Sequence, residues 1–402
     1  MESEILRTTA QLDAVREVWQ ELDRRDPASE FYTTWAASRA WWEAFGRETG
    51  VELRVIVATH NGATVGILPL ALETRGGKNP RRVLRFAGHG DWMGPVAAPS
   101  LPPATVYRSL ITAALDLPGW DLLDLDNIRR GSPFAAHCLA DPALNPHFAH
   151  RVEHPVIGLR GLTTPAQVPK KARKYRARAV RELGLRFTKH PGDTDGILDR
   201  LARLHRLEKE HLVAEHGRSE RHSWSESPAR LGHYQALFAA PETGAMTYCY
   251  ETGDGRLLAA RSTFRHRYTL LSWTSAYHPD AAAYRLGKAL QLDILDDLIA
   301  TGEADFFDFG AGRYPWKFEW TDAFDTSYRL RIERPHGDPA PPSPAPATPI
   351  PQPEPLAEDA GGPATANAPA RLPGWARSLG AGRLYWSTRR ALKRGLRKRP
   401  AK

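Results

Sequence analysis

Cysteine is nearly absent: Cys138 and Cys249 are the only two in 402 residues, far apart and in no metal-ligand spacing. That argues against a disulfide framework and against a thiolate metal centre. Long apolar runs are missing too. No stretch approaches the roughly twenty apolar residues that a bilayer-spanning helix needs. The opening MESEILRTTAQLDAVREVWQEL carries charge throughout, where a secretory signal would have an apolar core. The cytoplasm is the expected compartment. The chain also lacks a Gly-x-Ser-x-Gly elbow, a metal-spaced His/Glu set and a complete phosphate-binding loop. Acids are lacking at one end only: residues 371–402 hold eleven Lys or Arg and no Asp or Glu. Residues 335–370 hold four acids and no base. The formal charge of +9 therefore falls to +2 for residues 1–334, too little to mark that body as a nucleic-acid binder.

What is present divides into three parts. Residues 335–370 are Pro/Ala-rich with almost no large apolar side chains, the composition of a disordered linker. Beyond it, residues 371–402 interleave Trp375, Trp386 and several Leu with the basic set, the makings of an amphipathic tail attracted to anionic lipid. Ahead of it, helical and strand patterns mix in two series of similar order. In the first, Leu12, Val15, Trp19 and Leu22 follow helical spacing after a Thr8 or Thr9 cap. LRVIVATHNGATVGILPLALE then reads as a hairpin turning on Asn61-Gly62. In the second, a basic helix at 169–184 leads into strand LRFTKH, a helix near 195–212, three strands, a helix at 282–300 and strand DFFDFG. The expected fold is α+β, two lobes of related plan at 1–155 and 156–334.

Two stretches carry chemistry. PKKARKYRARAVRELG sets seven Lys or Arg against one Glu, with Val168, Ala172, Tyr175, Ala179 and Leu183 as its apolar stripe. Pro169 suits a first-turn position and Gly184 a cap. Like charges on successive turns repel, so the surplus, with Arg173 and Arg176 at its middle, points to an anionic partner. The other stretch is YHPDAAAYRLGKALQLDILDDLIATGEADFFDFGAGRYPWKFEW. Its helix has Leu286, Leu290, Ile294 and Leu298 on one stripe and Gly302 as cap. Gly287 falls in the first turn. There it serves either close approach of an anion to free backbone N–H groups or packing against the next strand.

YRLGKA is similar to the acyl-CoA pyrophosphate loop of GNAT acyltransferases, Gln/Arg-x-x-Gly-x-Gly/Ala. Gly287 and Ala289 match, and Tyr284 replaces the first basic residue. FFDFGAGRYPWKFEW resembles the signature of the CelD-like GNAT acetyltransferases. Asp308, Gly310, Gly312, Tyr314 and Lys317 fall on its motif positions, with Pro315-Trp316 where one residue is usual. Asp91 falls on an acidic position followed by an aromatic, here Trp92. FYTTWAASRAWWEAFG, LRFAGHGDWMGPV and WDLLDLDNIRRGSPF agree in order, so the resemblance covers nearly all of 1–334. It implies two tandem GNAT-like lobes, each a mixed sheet flanked by helices. It also implies an acyl-CoA donor without metal and an amine acceptor of small-molecule or glycan type, in polysaccharide or specialised-metabolite assembly.

Acyl transfer requires a site that holds both partners, accepts the amine proton and stabilises the oxyanion. Asp308, Tyr314, Tyr277 and His205 are the candidate catalytic groups, although Asp308 equally suits a carboxylate bonding turn N–H groups before Gly310. Tyr284, Arg285, Gly287, Lys288 and Ala289 are the candidate donor-binding set. Asp91, Arg173, Arg176, Gly310 and Lys317 are candidates for the acceptor. Two other readings stand beside this one. Fem-type transferases also use two related lobes and take an amino acid from charged tRNA, which a basic helix would suit. A non-catalytic assembly factor, held by its tail at the inner face of the membrane, is the other.

Overall fold

The computed structural model describes residues 1–334 apart from 49, 77–78 and 218–221; the expected linker and tail lie outside the described residues. The chain opens with β1 (Glu2–Leu6), α1 (Thr9–Ala14), α2 (Arg16–Arg25) and α3 (Trp35–Phe45). Short strands follow: β2 (Val51–Leu53), β3 (Val55–His60), β4 (Ala63–Leu68), β5 (Leu70–Arg75), β6 (Arg81–Phe86) and β7 (Val96–Ala97). Next come α4 (Pro103–Asp116), β8 (Leu122–Arg129), α5 (Pro133–Ala140) and the long β9 (Phe148–Gly158). The second series runs α6 (Ala172–Leu183), β10 (Arg186–Pro191), α7 (Ile197–His216) and α8 (Pro228–Ala239). It continues with β11 (Met246–Glu251), β12 (Leu257–His266), β13 (Thr269–Tyr277), α9 (Leu286–Thr301), β14 (Phe306–Asp308) and β15 (Phe324–Glu333).

Local sequence explains most of these boundaries. Thr8 and Gln11 form a reciprocal capping box at the start of α1. Asn61 and Gly62 both take positive φ between β3 and β4, as a two-residue hairpin turn requires. Gly184 and Gly302 close α6 and α9 in the left-handed conformation. Two starts differ from expectation. α6 begins at Ala172, so Pro169 precedes the helix instead of opening it. The helix expected from 282 begins at Leu286, because Arg285 adopts φ of 55° and separates it from a 3-10 segment at Pro279–Tyr284.

The architecture is mixed α+β, with helices flanking the sheets. β1, β3, β4 and β7 form a four-stranded sheet. The remaining strands form one eleven-stranded sheet in the order β10-β11-β12-β13-β14-β9-β15-β8-β6-β5-β2. Each series contributes the same unit, a parallel pair joined across a helix: β6-α4-β8 in the first and β13-α9-β14 in the second. The strand pairing crosses position 155. β9 spans it, and β15, last in the chain, lies between β8 and β9. One apolar core surrounds Trp19, Trp92, Tyr107 and Phe264; another lies between α6, α9 and the sheet, around Tyr250 and Phe307. Among the described residues no helix is long and apolar enough to cross a membrane.

Candidate active site

The parallel pairing of β13 with β14 is brief. It joins Thr269–Leu271 to Phe306–Asp308 and stops. β13 continues to Tyr277 with no described strand on that side, while the chain after β14 turns away through Gly310 and Gly312. On its other side β13 bulges, since Ser272 and Thr274 face consecutive residues of β12 and leave Trp273 as the extra residue. The result is a wedge-shaped opening with unpaired main chain along one wall.

Asp308 lies at the apex of the wedge, 1% exposed. Its Oδ1 accepts from Gly310 N at 2.7 Å and its Oδ2 from Trp92 Nε1 at 2.6 Å. Burial raises its pKa to about 6, against the pull of Arg129 and of those two donors. Both oxygens being engaged, the geometry is that of a carboxylate fixing the turn. Trp92 is itself clamped, with the Arg129 guanidinium 3.9 Å from its ring centroid and the His154 ring stacked at 3.7 Å. Arg129 bonds Glu30 and Asp325, whose negative charges raise its pKa in spite of burial.

Gly310 is required where it stands. Its φ is 75°, and a Cβ there would lie 2.4 Å from Asp91 Oδ2. Asp91 is partly exposed; burial raises its pKa, opposed by Lys317 and by a hydrogen bond from the Ala311 N–H. Lys317 Nζ donates to Gly310 O and Ala311 O, both at 2.7 Å. Burial lowers its pKa to about 8 in spite of Asp91 and Asp308. Asp91, Asp308, Gly310 and Lys317, over 200 residues apart at the extremes, thus form one cluster.

The other candidates lie around or away from it. Tyr314 is 57% exposed, with the Lys317 ammonium 5.3 Å from its ring centroid. Tyr277 ends β13 and packs against the α6/α9 core. His205 is on α7, buried, with Nδ1 2.9 Å from Ser223 Oγ. Gly287 is exposed at the second position of α9, and a Cβ there would meet nothing within 4 Å. No packing contact therefore demands glycine. Arg285 is exposed beside it; Lys288 is paired with Glu319, Ala289 is buried, and Tyr284 lies under Arg178. Arg176 is bonded to Asp293 and Asp296 of α9, whereas Arg173 is exposed.

Sequence reasoning passed over Tyr32, Arg129 and Arg261. Tyr32 packs on Gly90, and the charges of Asp91 and Asp308, added to burial, push its phenol well above its usual pKa. Nothing local to these residues marks them, because their partners come from distant strands. The segment carrying Asp91 also borders a cavity of about 190 Å³ lined by residues including Arg85, His89, Asp124 and Asn127. Burial holds His89 neutral, its pKa lowered to about 3.

Residues 166–318 match the family model described as an acetyltransferase (GNAT) domain. Residues 166–318 therefore carry a GNAT-type acyltransferase domain. The match contains Gly287, Asp308, Gly310 and Lys317 but not Asp91, Trp92 or Arg129, so one member of the cluster and the clamp around Trp92 come from outside it. Among solved structures, the chain is similar to FemX at 13% identity and a TM-score of 0.55, covering 83% of this chain and 98% of that one. It is also similar to a conserved protein from Bacteroides thetaiotaomicron at 13% identity and a TM-score of 0.51, covering 82% and 100%. A tandem GNAT protein from the clavulanic acid biosynthesis pathway aligns at 15% identity and a TM-score of 0.47, covering 83% and 98%. The fits to FemX and to the Bacteroides protein show a shared fold. No curated protein matches the sequence.

Proposed function

We propose that the protein transfers an acyl group from acyl-CoA to an amine, at the wedge between β13 and β14. The observation that carries this reading is Gly287, exposed in the first turn of α9 where a Cβ would meet no described atom within 4 Å. Free N–H groups and the helix dipole at that turn suit a pyrophosphate, and Arg285 adds a cation. The unpaired edge of β13 suits an extended, amide-bearing arm running from there toward the wedge. Acyl-CoA would supply the thioester, whose C–S bond would break as the amide forms, CoA leaving as the thiol once protonated.

The chain's own groups then divide the work. Asp91, partly exposed and with a raised pKa, accepts the proton of the attacking amine. Lys317 has three donors and spends two on Gly310 and Ala311, leaving the third for the developing oxyanion. Asp308 keeps the Gly310 turn, and through it Lys317, in place. The CelD-like resemblance fits this assignment and leaves the acceptor open.

A second reading takes aminoacyl-tRNA as donor. It is favoured by Lys170, Lys171, Arg173 and Lys174, which are exposed and form no ion pair among the described residues. One experiment separates the two. Thermal unfolding is followed with acetyl-CoA, longer acyl-CoAs and charged tRNA, using wild type and Gly287→Glu. A stabilisation by acyl-CoA that vanishes in the variant supports the proposal. Retention of tRNA alone favours the second reading, and binding of neither sinks both.

A further inference from the structure

Arg261 is a buried cation with no anion beside it among the described residues. It lies on β12 in register with Ser275, 5% exposed, and one Nη1 donates to Ser272 Oγ at 2.8 Å. That is its only hydrogen bond among the described residues. The Trp316 ring covers the guanidinium at 5.4 Å. Two half-buried arginines, by contrast, are paired: Arg129 with Glu30 and Asp325, and Arg85 with Glu73. Arg261 has five N–H donors; its Nε and Nη2 form no hydrogen bond among the described residues and are not fully enclosed. A cation left with so little accessible surface and no counterion is costly in general. A structural role would be met more cheaply by an apolar residue of similar length.

Its place narrows what it serves. Ser272 is the residue at which β13 leaves β14, and its carbonyl lies 3.4 Å from where a Gly310 Cβ would stand. The Arg261 charge is close enough to oppose that of Lys317. Arg261 is therefore at the reacting end of the wedge, and the turn suited to pyrophosphate is at Arg285–Lys288.

We propose that Arg261 binds an oxyanion, a carboxylate or phosphate, carried by one of the two reacting partners next to the bond being made. The preferred substrate pair thus includes an amine bearing its own anionic group or an acyl chain ending in one. The inference rests on the acyltransfer reading only for the words amine and acyl; the anion site stands on Arg261 itself.

The test uses the full chain and three variants, Arg261→Met, Arg261→Lys and Arg261→Gln, followed by thermal unfolding against acetate and inorganic phosphate. Wild type should be stabilised saturably by at least one of these anions. Arg261→Met should unfold at a higher temperature than wild type without ligand, and its apparent anion affinity should fall roughly thirtyfold or more. Arg261→Lys should retain part of the response; if Arg261→Met does not fold, Arg261→Gln and Arg261→Lys carry the comparison. Comparing succinyl-CoA with acetyl-CoA, and β-alanine with propylamine, then tells which partner carries the oxyanion, by which preference the Arg261 variants lose. An unchanged anion response in the variants, or none in wild type, overturns the proposal. Response to anions without response to acyl-CoA would leave Arg261 as assigned and remove the donor reading.

Discussion

Asp308 and Lys317 are both buried around the Gly310 turn, and burial moves each toward its neutral form. The Asp308 pKa is raised to about 6, above the unfolded value of about 3.9, so the folded protein holds that proton more tightly. Its stabilising contribution is full below about pH 4 and lost as the pH rises through about 6. Lowering the pH from 7 to 5 should then recover stability that Asp308→Asn does not recover. The variant should also be less stable by about 1–3 kcal/mol at pH 5, since its amide turns a donor toward Trp92 Nε1 or Gly310 N. Urea midpoints at both pH values check this; equal pH dependence in the two proteins would remove Asp308 from the account. Lys317 runs the other way. Its pKa is lowered to about 8, so the cost of its buried charge is present below that pH and relieved as the pH rises toward about 10.4. If its charge stabilises the oxyanion, kcat should fall on the alkaline side near pH 8. Lys317→Arg, which stays charged, should move that limb upward; coincident limbs would take Lys317 out of the chemistry.

At the scale of an element, Gly287 separates stability from binding. A methyl at 287 meets nothing within 4 Å, so Gly287→Ala should stabilise α9 by roughly 0.5–1 kcal/mol. It should weaken acyl-CoA binding if the backbone there meets a phosphate. Tighter folding with unchanged affinity would mean that no ligand approaches that turn. The basic helix divides the same way. Arg176 holds Asp293 and Asp296 in a half-exposed cluster, so Arg176→Ala should cost at most about 1 kcal/mol. Arg173→Glu should leave stability alone and reduce affinity for whichever anionic partner that face meets. Periodicity made these elements legible: the stripes of α6 and α9, the Asn61-Gly62 turn and the caps at Gly184 and Gly302 all stand where the sequence puts them. The start of α9 was not legible. It depends on Arg285 taking a left-handed conformation, which a non-glycine side chain does not announce.

At the scale of the whole molecule, the site exists because distant strands converge. Trp92 reaches Asp308 across 216 residues of chain, and Arg129 reaches Asp325 across 196. No local pattern encodes such pairings, so the motif positions Asp91, Asp308 and Lys317 could be read from the sequence while Tyr32, Arg129 and Arg261 could not. The same convergence makes β15 decisive. It is the last described strand, yet it sits inside the large sheet between β8 and β9 and carries the Asp325 that holds Arg129. Ending the chain after residue 323 removes a central strand, leaves β8 and β9 each with an open edge, and releases the Arg129 clamp on Trp92. Such a truncation should fail to unfold cooperatively and should lose acyl-CoA binding outright. Ending it after Arg334 retains every described strand and should leave both the melting temperature and the acyl-CoA response unchanged. Circular dichroism melts of the two truncations decide the point. A cooperative transition in the shorter chain would mean that the lobes fold without their shared strand, and that the clamp linking them is not needed to hold the site.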